Sequence, residues 1–132
     1  MKNEVFVKDW LKRARSNLAV AAAGKTSEEV LYEDLCFHCQ QSVEKSIKAL
    51  LISIDKEFPP THSIARLLKL VSEAGIRVSE KIKKAIDLTD YAVKMRYPGE
   101  QEPATSREYD QALKMATEVY GWVANLIEKD TE

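Results

Sequence analysis

Apolar residues recur along this chain at helical spacing. Val7, Leu11, Ala14, Leu18 and Ala21 follow at intervals of four, three, four and three, which is one face of a helix. Phe6 and Trp10 widen that stripe, and Gly24 supplies a stop. Thr26-Ser-Glu-Glu29 has the form of a capping box and predicts the start of a second, long helix. Cys36, Gln40, Val43, Ile47, Leu50, Ile54 and Phe58 line one face of it, Leu31 and Leu35 begin another stripe, and Pro59-Pro60 ends it. Ser63 caps a shorter helix with Ile64, Leu67, Leu68 and Val71 inward, and Gly75 closes it. Ser79 caps a fourth, in which Ile82, Ala85, Ile86 and Val93 share a face. Thr105 to Glu108 repeats the capping-box signature before a last helix carrying Tyr109, Ala112, Leu113, Ala116, Val119, Tyr120, Val123, Leu126 and Ile127. Gly121 inside that helix costs about 1 kcal/mol against Ala and reads either as close packing or as nothing.

Five helical segments result, roughly 1–23, 25–58, 61–74, 76–97 and 104–132. None shows sustained alternation of period two, so no strand is expected. Short connections favour antiparallel neighbours. The expected fold is all-α, an up-and-down four-helix bundle with one short extra helix, forming a single domain over residues 1–132. The apolar faces of the second and last helices are wide for a chain of this size, which predicts a homodimer.

Composition narrows the function classes. Twenty basic and twenty-one acidic residues give a net charge of -1, which excludes a nucleic-acid-coating protein and a polybasic membrane binder but not a local basic patch. No DNA-specific binding and no membrane span are expected, since no apolar run approaches the roughly 18–20 residues needed. Only four Gly and four Pro leave too few turns for a many-stranded β fold. Two Cys cannot build a disulfide framework or a four-Cys zinc site. With no signal-peptide core at the N-terminus, a cytoplasmic location is the default expectation.

Few residues offer chemistry. Asp34 and His38 are four apart on one helical face, and Cys36 and Cys39 are three apart. No partnering pair of Cys or His exists elsewhere, and there is no Glu-x-x-His. Packing of the thiols is therefore expected, with no metal and no cofactor. His62 precedes a helix and reads as a cap, an interface residue or a solvated side chain. Glu44 and Lys48 form an ordinary i,i+4 pair. Gln41, Lys45 and Lys48 lie three to four apart and can bind phosphate or a partner carboxylate, against a simpler reading as a solvated face. Arg96 and Tyr97 stand beside Pro98, where the helix must end. The guanidinium fork suits phosphate, and the ring can stack on a base. The competing reading is an Arg that bonds the last carbonyls of its helix.

Three blocks in order then carry a resemblance. Phe37-His-Cys-Gln-Gln-Ser-Val-Glu-Lys-Ser-Ile-Lys-Ala-Leu-Leu51 resembles the signature helix of the HEPN family, the higher-eukaryote and prokaryote nucleotide-binding domains. Thr61-His-Ser-Ile64 resembles the family's next landmark, and Tyr91-Ala-Val-Lys-Met-Arg-Tyr-Pro-Gly99 its third. The resemblance covers residues 3–129. It implies an up-and-down bundle, commonly dimeric, with Arg96 near the dimer interface. It also implies a partner, since many stand-alone members are encoded beside a minimal nucleotidyltransferase in modules that look like toxin–antitoxin pairs.

Several branches of the family are metal-independent ribonucleases that carry Arg, four to six residues, then His. Here the permitted positions hold Gln101, Glu102 and Pro103, and no His follows His62. The Arg carries over and the His does not. Two classes of function follow. In the first, Arg96, Tyr97, Gln41 and Lys45 bind a nucleotide, RNA or a partner. In the second, Arg96 serves a ribonuclease with a non-standard base, His38 or His62. Tyr97 and Tyr109, with ordinary pKa near 10, are poor bases. A purely structural bundle is a third reading.

Overall fold

The helix ends account for most of the architecture. In the computed structural model, which describes residues 3–93 and 103–130, α1 spans Glu4–Ala22, α2 Tyr32–Ser53, α3 Ile64–Glu73, α4 Glu80–Lys83, α5 Asp90–Val93 and α6 Ser106–Asp130. A 3-10 segment, Lys84–Thr89, joins α4 to α5. Among the described residues there is no strand.

Ser63 and Ser79 cap as the sequence predicts, accepting from the backbone N–H of Arg66 and Ile82. Thr105 Oγ1 accepts from Glu108 N–H at 3.1 Å, but the Glu108 carboxylate accepts from the Tyr91 hydroxyl at 3.0 Å. Gly75, at φ +92, closes α3: its N–H reaches Ser72 O and that of Ile76 reaches Val71 O. This pair of bonds is the left-handed C-terminal motif that glycine adopts without strain.

Both ends of α2 differ from expectation. Thr26 starts no helix. Ser27 Oγ instead accepts from Glu29 N–H, and residues 24–31 form a loop before an extended Leu31. A capping box needs a following helix that packs, and α2 starts at Tyr32, which packs against the core beside Tyr109, with Leu35 its first buried apolar position. At the other end α2 stops at Ser53, ahead of the two prolines. Asp55 takes φ 56, Asp55 N–H bonds Ile52 O and Lys56 N–H bonds Leu51 O. Asp tolerates this conformation better than most residues, so a local motif ends the helix. The fourth predicted helix is interrupted by the 3-10 segment. Asp87, Thr89 and Asp90 are poor interior helix formers, and Thr89 Oγ1 is drawn off to accept from Ile64 N–H at 3.2 Å.

α2 lies at the centre and packs on α1, α3, the 3-10 segment, α5 and α6. Side-chain pairs set the directions. Ser42 Oγ donates to Ala14 O and Asn3 Nδ2 to Ile52 O, so α1 and α2 run antiparallel. Tyr109 Oη donates to Ala21 O, while Arg15 lies over the Tyr120 ring, so α6 also opposes α1. Lys81 meets Glu118 and Tyr91 meets Glu108, so the α4–α5 arm opposes α6. This is the expected up-and-down bundle, with α3 as the short extra helix. Ile47, Leu51, Ile64, Leu67, Val71, Val119 and Val123 fill the core. Phe6 does not join it; its side chain is 62% exposed. Among the described residues, no helix is long and apolar enough to cross a membrane.

Candidate functional site

Among the described residues α2 is buried on nearly every side, so polar residues in its middle find partners or reach the part-exposed flank beside α1. Two clusters result, less than two turns apart.

The first is built on Glu44, only 4% exposed. Its carboxylate accepts from Lys48 Nζ at 2.8 Å, from Gln40 Nε2 at 2.7 Å and from His62 Nδ1 at 3.1 and 3.2 Å. Burial by itself pushes the Glu44 pKa up. The hydrogen bonds from Lys48, Gln40 and His62, with the Lys48 charge, outweigh it and hold the pKa below the usual value. Lys48 in turn lies over the rings of Trp10 and Phe58, at 5.8 and 5.7 Å. The Glu44–Lys48 pair is thus a hub with a buried acid and a part-buried base, not a solvated i,i+4 pair. His62 neither caps α3 nor stands free. It ties the loop after α2 back to Glu44, a partner 18 residues away that local sequence does not reveal.

The second cluster is built on Asn17 of α1. Its Oδ1 accepts from Lys45 Nζ at 2.8 Å, and its Nδ2 bonds His38 Nδ1 at 3.0 Å. Gln41 lies between the clusters, donating to Gln40 Oε1 at 2.7 Å. Lys45 is half-buried. Burial first, then repulsion by Arg13 and Lys48, lowers its pKa, while Glu44 partly offsets this. Arg13 has its own acid in Asp9, at 3.0 Å, and Lys48 has Glu44. Among the described residues Lys45 has no carboxylate within ion-pair distance, only the neutral amide.

The structure therefore brings Gln41, Lys45 and His38 to one flank and turns His62 to another cluster. Arg96 and Tyr97 lie outside the described residues. Cys36 and Cys39 are fully buried in the core, and burial followed by the neighbouring Cys36 pushes the Cys39 thiol up to about 12. Among the described residues no three His, Cys, Asp or Glu side chains converge as metal ligands would. Tyr109 is spent on Ala21 O, and burial raises its pKa further, which makes it a still poorer base. Sequence reasoning missed Asn17 and Arg13. Their spacing of four places them on one flank of the α1 stripe, but nothing local says that the flank meets Lys45.

A family model for the HEPN domain matches residues 7–126. The chain belongs to the HEPN family. Two solved structures agree with this assignment. The archaeal HEPN homologue ST0689 is 30% identical with a TM-score of 0.75, over 92% of this chain and 97% of that one. TT1696 from Thermus thermophilus is 27% identical, also with a TM-score of 0.75, over 95% of this chain and 98% of that one. A comparison with curated proteins finds no match. In this HEPN chain, the signature helix is α2, and it supplies the residues of both polar clusters except Asn17 and His62.

Proposed function

We propose that this HEPN protein is a binding protein for a phosphate-bearing ligand, a nucleotide or RNA, held on the flank between α1 and α2. The observation that supports the reading is Lys45: a half-buried cation bonded to an amide, beside Arg13 and Lys48, which already have acidic partners. A phosphate there would relieve the repulsion that lowers the Lys45 pKa. Arg96, Tyr97 and the homodimer belong to this reading on the sequence pattern and the family resemblance together, and a minimal nucleotidyltransferase as the other half of a toxin–antitoxin-like module on the resemblance alone.

Fluorescence anisotropy with a labelled oligonucleotide tests the reading. Lys45→Met is expected to weaken binding about tenfold or more and to reduce the slope of log affinity against log salt by about one. Unchanged affinity sinks it. Arg96→Lys and Arg96→Ala are expected to lose affinity with folding intact, since a point charge does not reproduce the fork. Light scattering at micromolar concentration should report twice the chain mass, and co-purification should recover the nucleotidyltransferase partner.

One observation favours a second reading, RNA cleavage. His62 Nδ1 faces the Glu44 carboxylate, so the neutral ring carries its proton there and leaves Nε2 as an acceptor. His38 has the opposite tautomer, because its Nδ1 accepts from Asn17. Of the two base candidates, His62 is therefore the one oriented to take a proton. Cleavage of an RNA substrate that is abolished in His62→Ala, with the fold retained, would establish this reading in place of simple binding.

A further inference from the structure

Two charged groups fix the direction of the hydrogen bonds on the α1/α2 flank. The Lys45 ammonium can only donate, so Asn17 must turn Oδ1 towards it and Nδ2 towards His38. Nδ2 can only donate, so His38 Nδ1 accepts, and the proton of the neutral ring stands on Nε2. The Glu44 carboxylate can only accept, so Gln40 points Nε2 at it and keeps Oε1 as an acceptor. Gln41 fills that acceptor with its own Nε2, which leaves the Gln41 carbonyl Oε1 without a partner among the described residues. The same holds for His38 Nε2. No side-chain N or O atom of a non-exposed described residue is buried without a hydrogen bond. Both atoms therefore open to solvent.

The flank thus shows a ligand two donors, Lys45 Nζ and His38 Nε2–H, and one acceptor, Gln41 Oε1. His38, Gln41 and Lys45 follow at steps of three and four on one helical face. An anion that carries no proton, such as sulfate or the phosphodiester of a deoxyribo strand, satisfies the donors but leaves Gln41 facing a lone pair. We propose that the flank selects a phosphate ester that carries a hydroxyl near its phosphate, as a ribose phosphate does, with Gln41 as the specificity-determining residue. Lys45 and His38 donate to the phosphate, and the sugar hydroxyl donates to Gln41 Oε1. Asn17 and Gln40 act as positioning residues that hold this polarity. The inference rests on the phosphate-binding reading above.

The test uses the full chain and two labelled eight-nucleotide single strands of identical sequence, one ribo and one deoxyribo. Wild type is expected to prefer the ribo strand about five- to tenfold, the worth of one hydrogen bond. Gln41→Met should bring the ratio of ribo to deoxyribo affinity down to about one. Gln41→Leu serves as the second apolar replacement if the first does not fold, as judged by a circular-dichroism melt. Lys45→Met should weaken both strands equally. Equal wild-type affinity for the two strands, still weakened by Lys45→Met, overturns the hydroxyl selection and leaves the phosphate-binding reading standing. An equal loss for both strands in Gln41→Met also overturns the selection, since it makes Gln41 a structural residue. Binding of neither strand by wild type overturns both.

Discussion

Glu44 and Lys45 are adjacent in sequence and have opposite settings. Glu44 points into the bundle, and both of its carboxylate oxygens meet donors from Gln40, Lys48 or His62. Lys45 points to the flank and is held by one neutral amide. Burial opposes the charge of both groups. For Glu44 the partners more than compensate; for Lys45 they do not. A closed network supports folding, whereas an incompletely compensated cation leaves interaction energy for a ligand to collect. One helix carries both because successive residues lie about 100° apart around its axis.

The largest expected effect breaks the closed side. Glu44→Ala leaves the part-buried Lys48 ammonium without its acid, and denaturant unfolding should show a loss of about 3 kcal/mol, the lower end for a buried pair. A loss under about 1 kcal/mol, the scale of an exposed pair, would mean that the hub is incidental. Acid should reproduce part of this effect. The Glu44 pKa in the folded state lies below its unfolded value, so its stabilisation is fully present above an unfolded Glu pKa of about 4.3 and is lost as pH falls through the folded value. Stability of wild type measured across pH 6 to pH 2, on the order of the carboxyl titration range, should fall more steeply than that of Glu44→Gln. Parallel curves would show that Glu44 is not the group responsible.

Smaller effects sharpen the contrast away from the hub. Tyr109→Phe removes the hydroxyl that donates to Ala21 O and should cost about 0.5–1.5 kcal/mol. Gly121→Ala should gain about 0.5–1 kcal/mol, because a Cβ built there meets nothing within 4 Å. A loss at that position instead would point to a second copy of the chain packed against it. Lys45→Met should change stability least, by no more than about 0.5 kcal/mol and in the favourable direction, since it removes a charge that burial and Arg13 disfavour. If Lys45→Met destabilises as much as Glu44→Ala, both groups belong to the scaffold and the flank is no site.

Much of the fold was legible along the chain. Ser63, Ser79, Thr105 and Gly75 act locally, and a hydroxyl three residues ahead of a backbone N–H needs no knowledge of the rest of the molecule. The stripes through α1, α3 and α6 were legible for the same reason, since helical period alone decides which residues share a face. The failures share a cause too. Thr26 offers a good cap, yet α2 begins only where packing starts. Asp55 ends α2 early because a left-handed residue satisfies the last carbonyls before the prolines are reached.

The candidate site was legible as residue types and not as partners. His38, Gln41, Lys45 and His62 were identifiable from the sequence, while Asn17, 21 residues from His38 and 28 from Lys45, was not. By itself the sequence determined the helices, most of their caps, the all-α bundle and the spacing of polar groups along α2, because these depend on neighbours within a few residues. Only the tertiary structure decided that Glu44 is buried among its donors while Lys45 faces an amide, and which way each amide and imidazole points. Those outcomes depend on what a helix packs against, and hydrogen-bond direction propagates from charged groups that distant segments bring together.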